Sequence, residues 1–285
     1  MGWNYIMAMG IGVVGSTVVH LSQGLMKLGV TRKQQGASPA QYRRPYRAGL
    51  VMNLSAPFWV IAANGFAPTV FYTSMYAVGL IPLLIYSHRK LGHTAGPREM
   101  VGAAFLALGA ATLGFGEWIG EAAPMSALNH YPILLCGIIW LVAAPFVGWL
   151  TGKVRVLSPG LVMGLLGGGF LALDSLIKGL AQAEGVASSF RPETTYGISL
   201  FALSFIGAIA AFGMTQWAHR RGAKPAETIA GYDAAYVGLP VFLVPAAKGD
   251  AGINILCLIG FALVVVGLYL LVKAPAQRAP ETASP

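Results

Sequence analysis

Apolar runs long enough for a bilayer crossing at ~20 residues each recur along the chain at roughly 4–28, 48–65, 69–87, 99–118, 131–150, 159–182, 196–217, 228–246 and 251–273. Connectors that are basic or rich in Pro, Gly and Ser separate them. Between Arg47 and Arg89 there is no Lys, Arg, Asp or Glu, a gap that accommodates two crossings. The pattern predicts an all-α polytopic membrane protein with about nine transmembrane helices. Residues 274–285, rich in Ala and Pro, read as a cytoplasmic tail. No basic residue precedes Lys27, so the first run lacks the charged start of a cleavable signal peptide and is expected to be retained as a spanning helix.

A repeat organises these runs. Tyr72, Tyr76, Val78, Gly79, Leu80 and Pro82 are echoed by Tyr232, Tyr236, Val237, Gly238, Leu239 and Pro240. Apolar segments interrupted by Gly and Pro at matching positions of two halves mark the binding helices of internally repeated transporters. The chain therefore divides into a first repeat at 1–122 with helices 1–4 and a second at 130–273 with helices 5–9, a 4+5 arrangement. Charge sets its orientation. With the N-terminus outside, 16 of the 19 Lys and Arg residues fall on the cytoplasmic side, and only Lys178, Arg191 and Lys248 do not. The third and eighth helices then run in opposite directions, so the tyrosine repeat is inverted across the membrane, as alternating access requires.

Composition agrees: of 285 residues 56% are hydrophobic and 10% charged. The net charge of +9 does not point to nucleic acid, because the basic residues lie between apolar segments instead of forming a soluble basic domain. Cys136 and Cys257 sit inside apolar runs and suggest neither a disulfide nor a metal site. No phosphate loop, nucleophile triad or Cys/His metal cluster is present in the sequence, so no enzymatic activity and no cofactor are expected.

Candidate chemistry lies in the polar residues that a bilayer tolerates poorly. Ser16, His20, Gln23 and Lys27 share one face of the first helix, which either bonds to neighbouring helices or lines a water-filled cavity. Asn53 and Asn64 share a face of the second, with Pro57 leaving the Asn53 carbonyl unbonded. Asp174, Lys178 and Gln182 share a face of the sixth, where Asp174 and Lys178, four apart, can neutralise one another. Asp233 lies within the second tyrosine copy, where the first copy has Thr73, and no basic residue lies within a helical turn of it. An unpaired carboxylate in low dielectric must take up a proton or hold a cation. Asp233 is thus expected to be the coupling or cargo-binding acid, near Tyr72, Thr73, Tyr76, Tyr232 and Tyr236.

Several pieces in order resemble the NIPA-type magnesium transporter branch of the drug/metabolite transporter (DMT) superfamily: Gly15-Ser16-Thr17, Lys27-Leu28-Gly29, Phe66-Ala67-Pro68-Thr69-Val70, Thr73 with Ala77, Lys178-Gly179-Leu180-Ala181 and the region of Gln216. The resemblance implies an inner-membrane transporter of DMT-like fold with two inverted repeats and Mg²⁺ as transported ion. Departures are visible: the family's Thr-Pro-Leu-Gly-Ala reads Thr73-Ser74-Met75-Tyr76-Ala77, and one lysine of its Lys-Lys-Gly is Leu28. Mg²⁺ keeps most of its waters and needs one or two carboxylates, which Asp174 and Asp233 could supply, whereas Lys178 suits a carboxylate substrate or a proton relay. Three readings follow: a secondary transporter of a divalent cation or small polar solute in the plasma membrane, a proton-coupled metabolite exporter, and a non-transporting accessory subunit. The partners expected are the lipid bilayer, the solute, and a second copy or a larger membrane complex.

Overall fold

In lipid, a backbone must satisfy its own hydrogen bonds, and a helix does so within one segment. The structure, a computed structural model, describes residues 2–92, 96–120, 122–151, 158–184, 189–221, 223, 225–249 and 254–273. The expected tail at 274–285 lies outside them, as do Lys153, Arg155, Lys224 and Arg278 of the charge pattern. The helices are α1 (Gly2–Gln34), α2 (Pro39–Leu54), α3 (Ala56–Asn64), α4 (Thr69–Thr73), α5 (Leu80–Lys90), α6 (Pro97–Ile119), α7 (His130–Thr151), α8 (Pro159–Ala183), α9 (Thr195–Arg220), α10 (Pro225–Lys248) and α11 (Ile255–Val272). Short 3₁₀ turns occupy Tyr76–Gly79 and Met125–Ala127.

Among the described residues eight helices are long and apolar enough to cross a membrane, counting Thr69–Lys90 as one. The molecule is therefore a polytopic helical membrane protein. The expected second span at roughly 48–65 is not a single helix, because the chain breaks between α2 and α3 at Ser55. Pro57 has no N–H for the Asn53 carbonyl. The Ser55 hydroxyl donates to the Met52 carbonyl, which also accepts from the Ser55 N–H at 3.1 Å, and accepts from the Trp59 indole N–H at 3.0 Å, so the side chain ties the two helix ends together at the break. One consequence corrects the sequence reading: Asn53 and Asn64 do not share a face. The Asn53 amide donates to Ser22 on α1 at 3.2 Å, while Asn64 turns to α8.

Burial orders the helices. The window of α8 is 89% buried, against 17% for α7 and 28% each for α9 and α11. α8 is thus the axis, and α7, α9 and α11 show their apolar surface outward, as lipid-facing helices do. The glycines at the start of α8 explain its position: a Cβ at Gly164 or Gly168 would run into the backbone carbonyl of Thr228 or Tyr232, so α10 lies directly on α8. α1 meets α4 the same way, since a Cβ on Gly12 would stand 2.8 Å from the Tyr72 carbonyl.

Candidate functional site

The two tyrosine copies meet at the centre of the molecule. The Tyr76 ring centroid lies 4.5 Å from that of Tyr236 in an edge-on contact, 6.2 Å from Tyr72 and 6.4 Å from Tyr232. Tyr72, Tyr76 and Tyr236 are fully buried. The copies reach this point by different backbones: the first passes through α4 and the 3₁₀ turn Tyr76–Gly79, whereas the second lies within the continuous α10. Gly79 allows that turn to press on α1, because a Cβ there would stand 2.5 Å from His20 Nδ1 and 2.6 Å from the Ser16 carbonyl oxygen.

That approach carries His20 into the cluster, and here the sequence expectation for Asp233 is corrected. Asp233 is not without a basic partner: His20 Nε2 lies 2.9 Å and 3.1 Å from its two carboxyl oxygens, and both residues are buried. The His20 ring also packs on Tyr76 at 5.1 Å. Its other nitrogen, Nδ1, lies 2.7 Å from the Ser16 carbonyl. A carbonyl only accepts, so Nδ1 carries a proton. Nε2 and the Asp233 carboxyl then need one further proton between them, since an imidazole lone pair facing an ionised carboxylate would repel it. The pair therefore holds one shared proton, as imidazolium with carboxylate or as imidazole with carboxylic acid. Among the described residues Thr73, the counterpart of Asp233 in the first copy, bonds back to the Val70 carbonyl at 3.2 Å.

On the other side of the tyrosines, Asp174 and Lys178 form a buried ion pair within α8, and the Lys178 ammonium lies 4.2 Å from the Phe205 ring of α9. Thus Asp174 and Asp233, expected as ligands of one cation, each hold a separate basic partner. Among the described residues no group of three or more His, Cys, Asp or Glu could hold a metal ion. Ser175, beside Asp174, shares a hydrogen bond with the Tyr236 hydroxyl at 2.8 Å, and its carbonyl accepts from Thr69 at 3.3 Å. The single Thr69 hydroxyl hydrogen is shared with the Asn64 side-chain oxygen at 3.0 Å, and the Asn64 amide donates to Gln182 at 3.2 Å. A polar chain thereby links the tyrosines to the end of α8. Of its links, Ser175 was not singled out from sequence and Thr69 figured there only within the Phe66–Val70 resemblance, because a lone Ser or Thr in an apolar helix carries no local signal.

This chain ends at a vestibule of about 690 Å³, lined by Asn4, Tyr5, Asn64, Phe66, Trp118 and Gln182 among others. It opens where α1 begins and α3, α6 and α8 finish. Tyr5 stacks on Phe71 at 4.3 Å, at the inner wall between the vestibule and the tyrosine cluster. Toward the opposite end, His20 borders a cavity of about 20 Å³ together with Gln23, Thr215, Thr228 and Tyr232. Gln23 thus stays near the pair, and its side-chain oxygen, like the Tyr72 hydroxyl, is buried without a hydrogen-bond partner among the described residues. No protein-family model, curated protein or solved structure matches the chain.

Proposed function

We propose that the protein is a proton-coupled secondary transporter of DMT-like architecture that moves a small polar solute by alternating access. The observation that carries this reading is the His20–Asp233 pair, which joins α1 of the first half to α10 of the second through one shared proton. Releasing that proton turns the contact repulsive, so proton exchange acts on how the two halves fit together. Buried ionisable residues that pair across helices are the usual proton relays of transporters. The aromatic and amide-lined vestibule supplies an approach for solute from one side, and the tyrosine cluster closes the path toward the pair.

In this reading α2 and α3 together make the ninth crossing, and the halves are inverted repeats. Two facts support the repeat: the first tyrosine of each copy sits with its carbonyl against a glycine of the partner helix, Gly12 of α1 or Gly168 of α8, and the four rings converge. The protein sits in the plasma membrane with its N-terminus outside. The resemblance to NIPA-type transporters bears on architecture more than cargo. Magnesium as cargo would require both buried carboxylates to leave their basic partners, and no observation favours that step.

Reconstituted proteoliposomes given a panel of small neutral solutes, amines and divalent cations test the proposal. Accumulation of at least one solute driven by an imposed pH gradient is the expected result. Flux that is indifferent to the gradient for every solute moved would refute proton coupling, and flux of divalent cations alone would reinstate the magnesium reading.

A further inference from the structure

Transport leaves one feature unused, at the end of the molecule where α1 closes. Residues 1–98 contain nine Lys and Arg and no Asp or Glu, and the first acid, Glu99, is buried. Five of these cations stand on one hairpin: Arg32 and Lys33 in the last turn of α1, and Arg43, Arg44 and Arg47 on α2, all exposed. The hairpin is held tightly. A Cβ on Gly29 would stand 2.7 Å from Tyr46 Cβ, and one on Gly49 would stand 2.6 Å from the Ser22 carbonyl, so the two backbones are in close contact. Arg32 donates to the Gln41 carbonyl at 3.2 Å, and the Gln41 side chain accepts from the Ser38 N–H at 3.0 Å, which closes the turn.

Depth follows from the exposed side chains. Beyond Arg47 the outward residues of α2 and α3 are Val51, Leu54 and Phe58, at 69%, 64% and 72% exposure, as expected in hydrocarbon. α1, at 33 residues, is about 50 Å long at 1.5 Å per residue, longer than the ~30 Å hydrocarbon layer. Its basic end therefore reaches the headgroups, where half-buried Tyr42 and Tyr46 also suit the interface.

We propose that the α1–α2 hairpin is a binding surface for anionic phospholipid headgroups of the leaflet at this end, with lipid phosphates held by Arg43, Arg44 and Arg47 beside Arg32 and Lys33. Guanidinium forks match phosphate oxygens in pairs. A hairpin already fixed by glycine contacts loses little freedom when it binds. Juxtamembrane clusters of four to eight cations recognise anionic lipid, and here no acid of the same segment competes. The proposal needs only that α1 crosses the membrane, and it stands apart from the transport reading.

The test extracts the full-length protein from membranes containing equal phosphatidylglycerol and phosphatidylethanolamine and measures the lipid retained. The native protein is expected to keep phosphatidylglycerol in excess. The triple variant Arg43→Gln/Arg44→Gln/Arg47→Gln is expected to lose that excess by about threefold or more, whereas Arg43→Lys/Arg44→Lys/Arg47→Lys, which keeps the charge but not the paired guanidinium bonds, retains more of it than the Gln variant and less than the native protein. Washing the native protein in high salt provides an arm free of folding effects, and it is expected to strip the same lipid. Equal retention of both lipids by the native protein, or an unchanged excess in the folded Gln variant, would overturn the proposal and leave the cations as topology signals alone. Release of the excess by millimolar inorganic phosphate in preference to chloride at equal ionic strength would also overturn it, in favour of a soluble anion.

Discussion

The two buried acids differ in what replaces them. Asp233→Asn keeps a group of the same shape beside His20 and can still donate to Nε2, so the fold is expected to survive while the shared proton is lost. Asp174→Asn instead strands the Lys178 ammonium among buried neighbours, which costs on the order of 3–5 kcal/mol. Thermal unfolding in detergent is therefore expected to show a large loss for Asp174→Asn and little for Asp233→Asn. Replacing the whole pair, Asp174→Leu with Lys178→Met, is expected to recover most of the lost stability, and equal unfolding of single and double variants would contradict a paired Asp174. The difference between these acids also explains what was legible in the sequence. Asp174 and Lys178 are four apart on one helix, so their pairing follows from helical geometry. His20 and Asp233 are 213 residues apart, and nothing local to either signals the other.

Among the elements, helix positions were readable because each crossing is a long apolar run bounded by polar residues, and from the third run on the boundaries fall within a few residues of those observed, whereas α1 extends past the expected 28 to Gln34. The exception is the second run. Pro57 pointed to a freed carbonyl in a kinked helix, and the interruption is confined to Ser55, which keeps a right-handed helical conformation, but the interplay of its hydroxyl with Met52 and Trp59 is not visible from spacing. The glycines of α8 were readable as sites of close approach, though not which carbonyl each meets. Their packing predicts a sharp contrast among Gly→Ala variants. Gly168→Ala and Gly12→Ala force a methyl against an immovable backbone carbonyl and are expected to destabilise by about 1–3 kcal/mol. Gly213→Ala on α9 meets nothing within 4 Å and is expected to be neutral or to stabilise by up to ~1 kcal/mol through helix propensity. Thermal unfolding of the three variants in one detergent compares them, and a tolerated Gly168→Ala would mean that α8 and α10 do not pack this closely.

At the scale of the whole molecule, the proposed orientation puts the α1–α2 turn and the segment before α7 on opposite sides of the membrane. With Cys136 and Cys257 replaced, Ser38→Cys is expected to be labelled only from the cytoplasmic side and Ser126→Cys only from outside by a membrane-impermeant thiol reagent; both sites are exposed. Labelling of both from one side would show that α2 and α3 do not complete a crossing. The vestibule lies at the Ser126 end, so under the proposed orientation it faces the outside. Closure of one end while the other opens requires a contact between the halves whose strength changes during the cycle, and the His20–Asp233 pair is such a contact, because its hydrogen bond depends on a single proton. The most direct measurement of that dependence is proton movement inside proteoliposomes, read by a trapped pH dye, when a gradient of a transported solute is applied. Native protein is expected to move protons in step with the solute, and Asp233→Asn and His20→Gln, although folded and inserted, to move none. Solute-driven proton movement in Asp233→Asn equal to that of the native protein would contradict the assignment of the shared proton as the coupling ion.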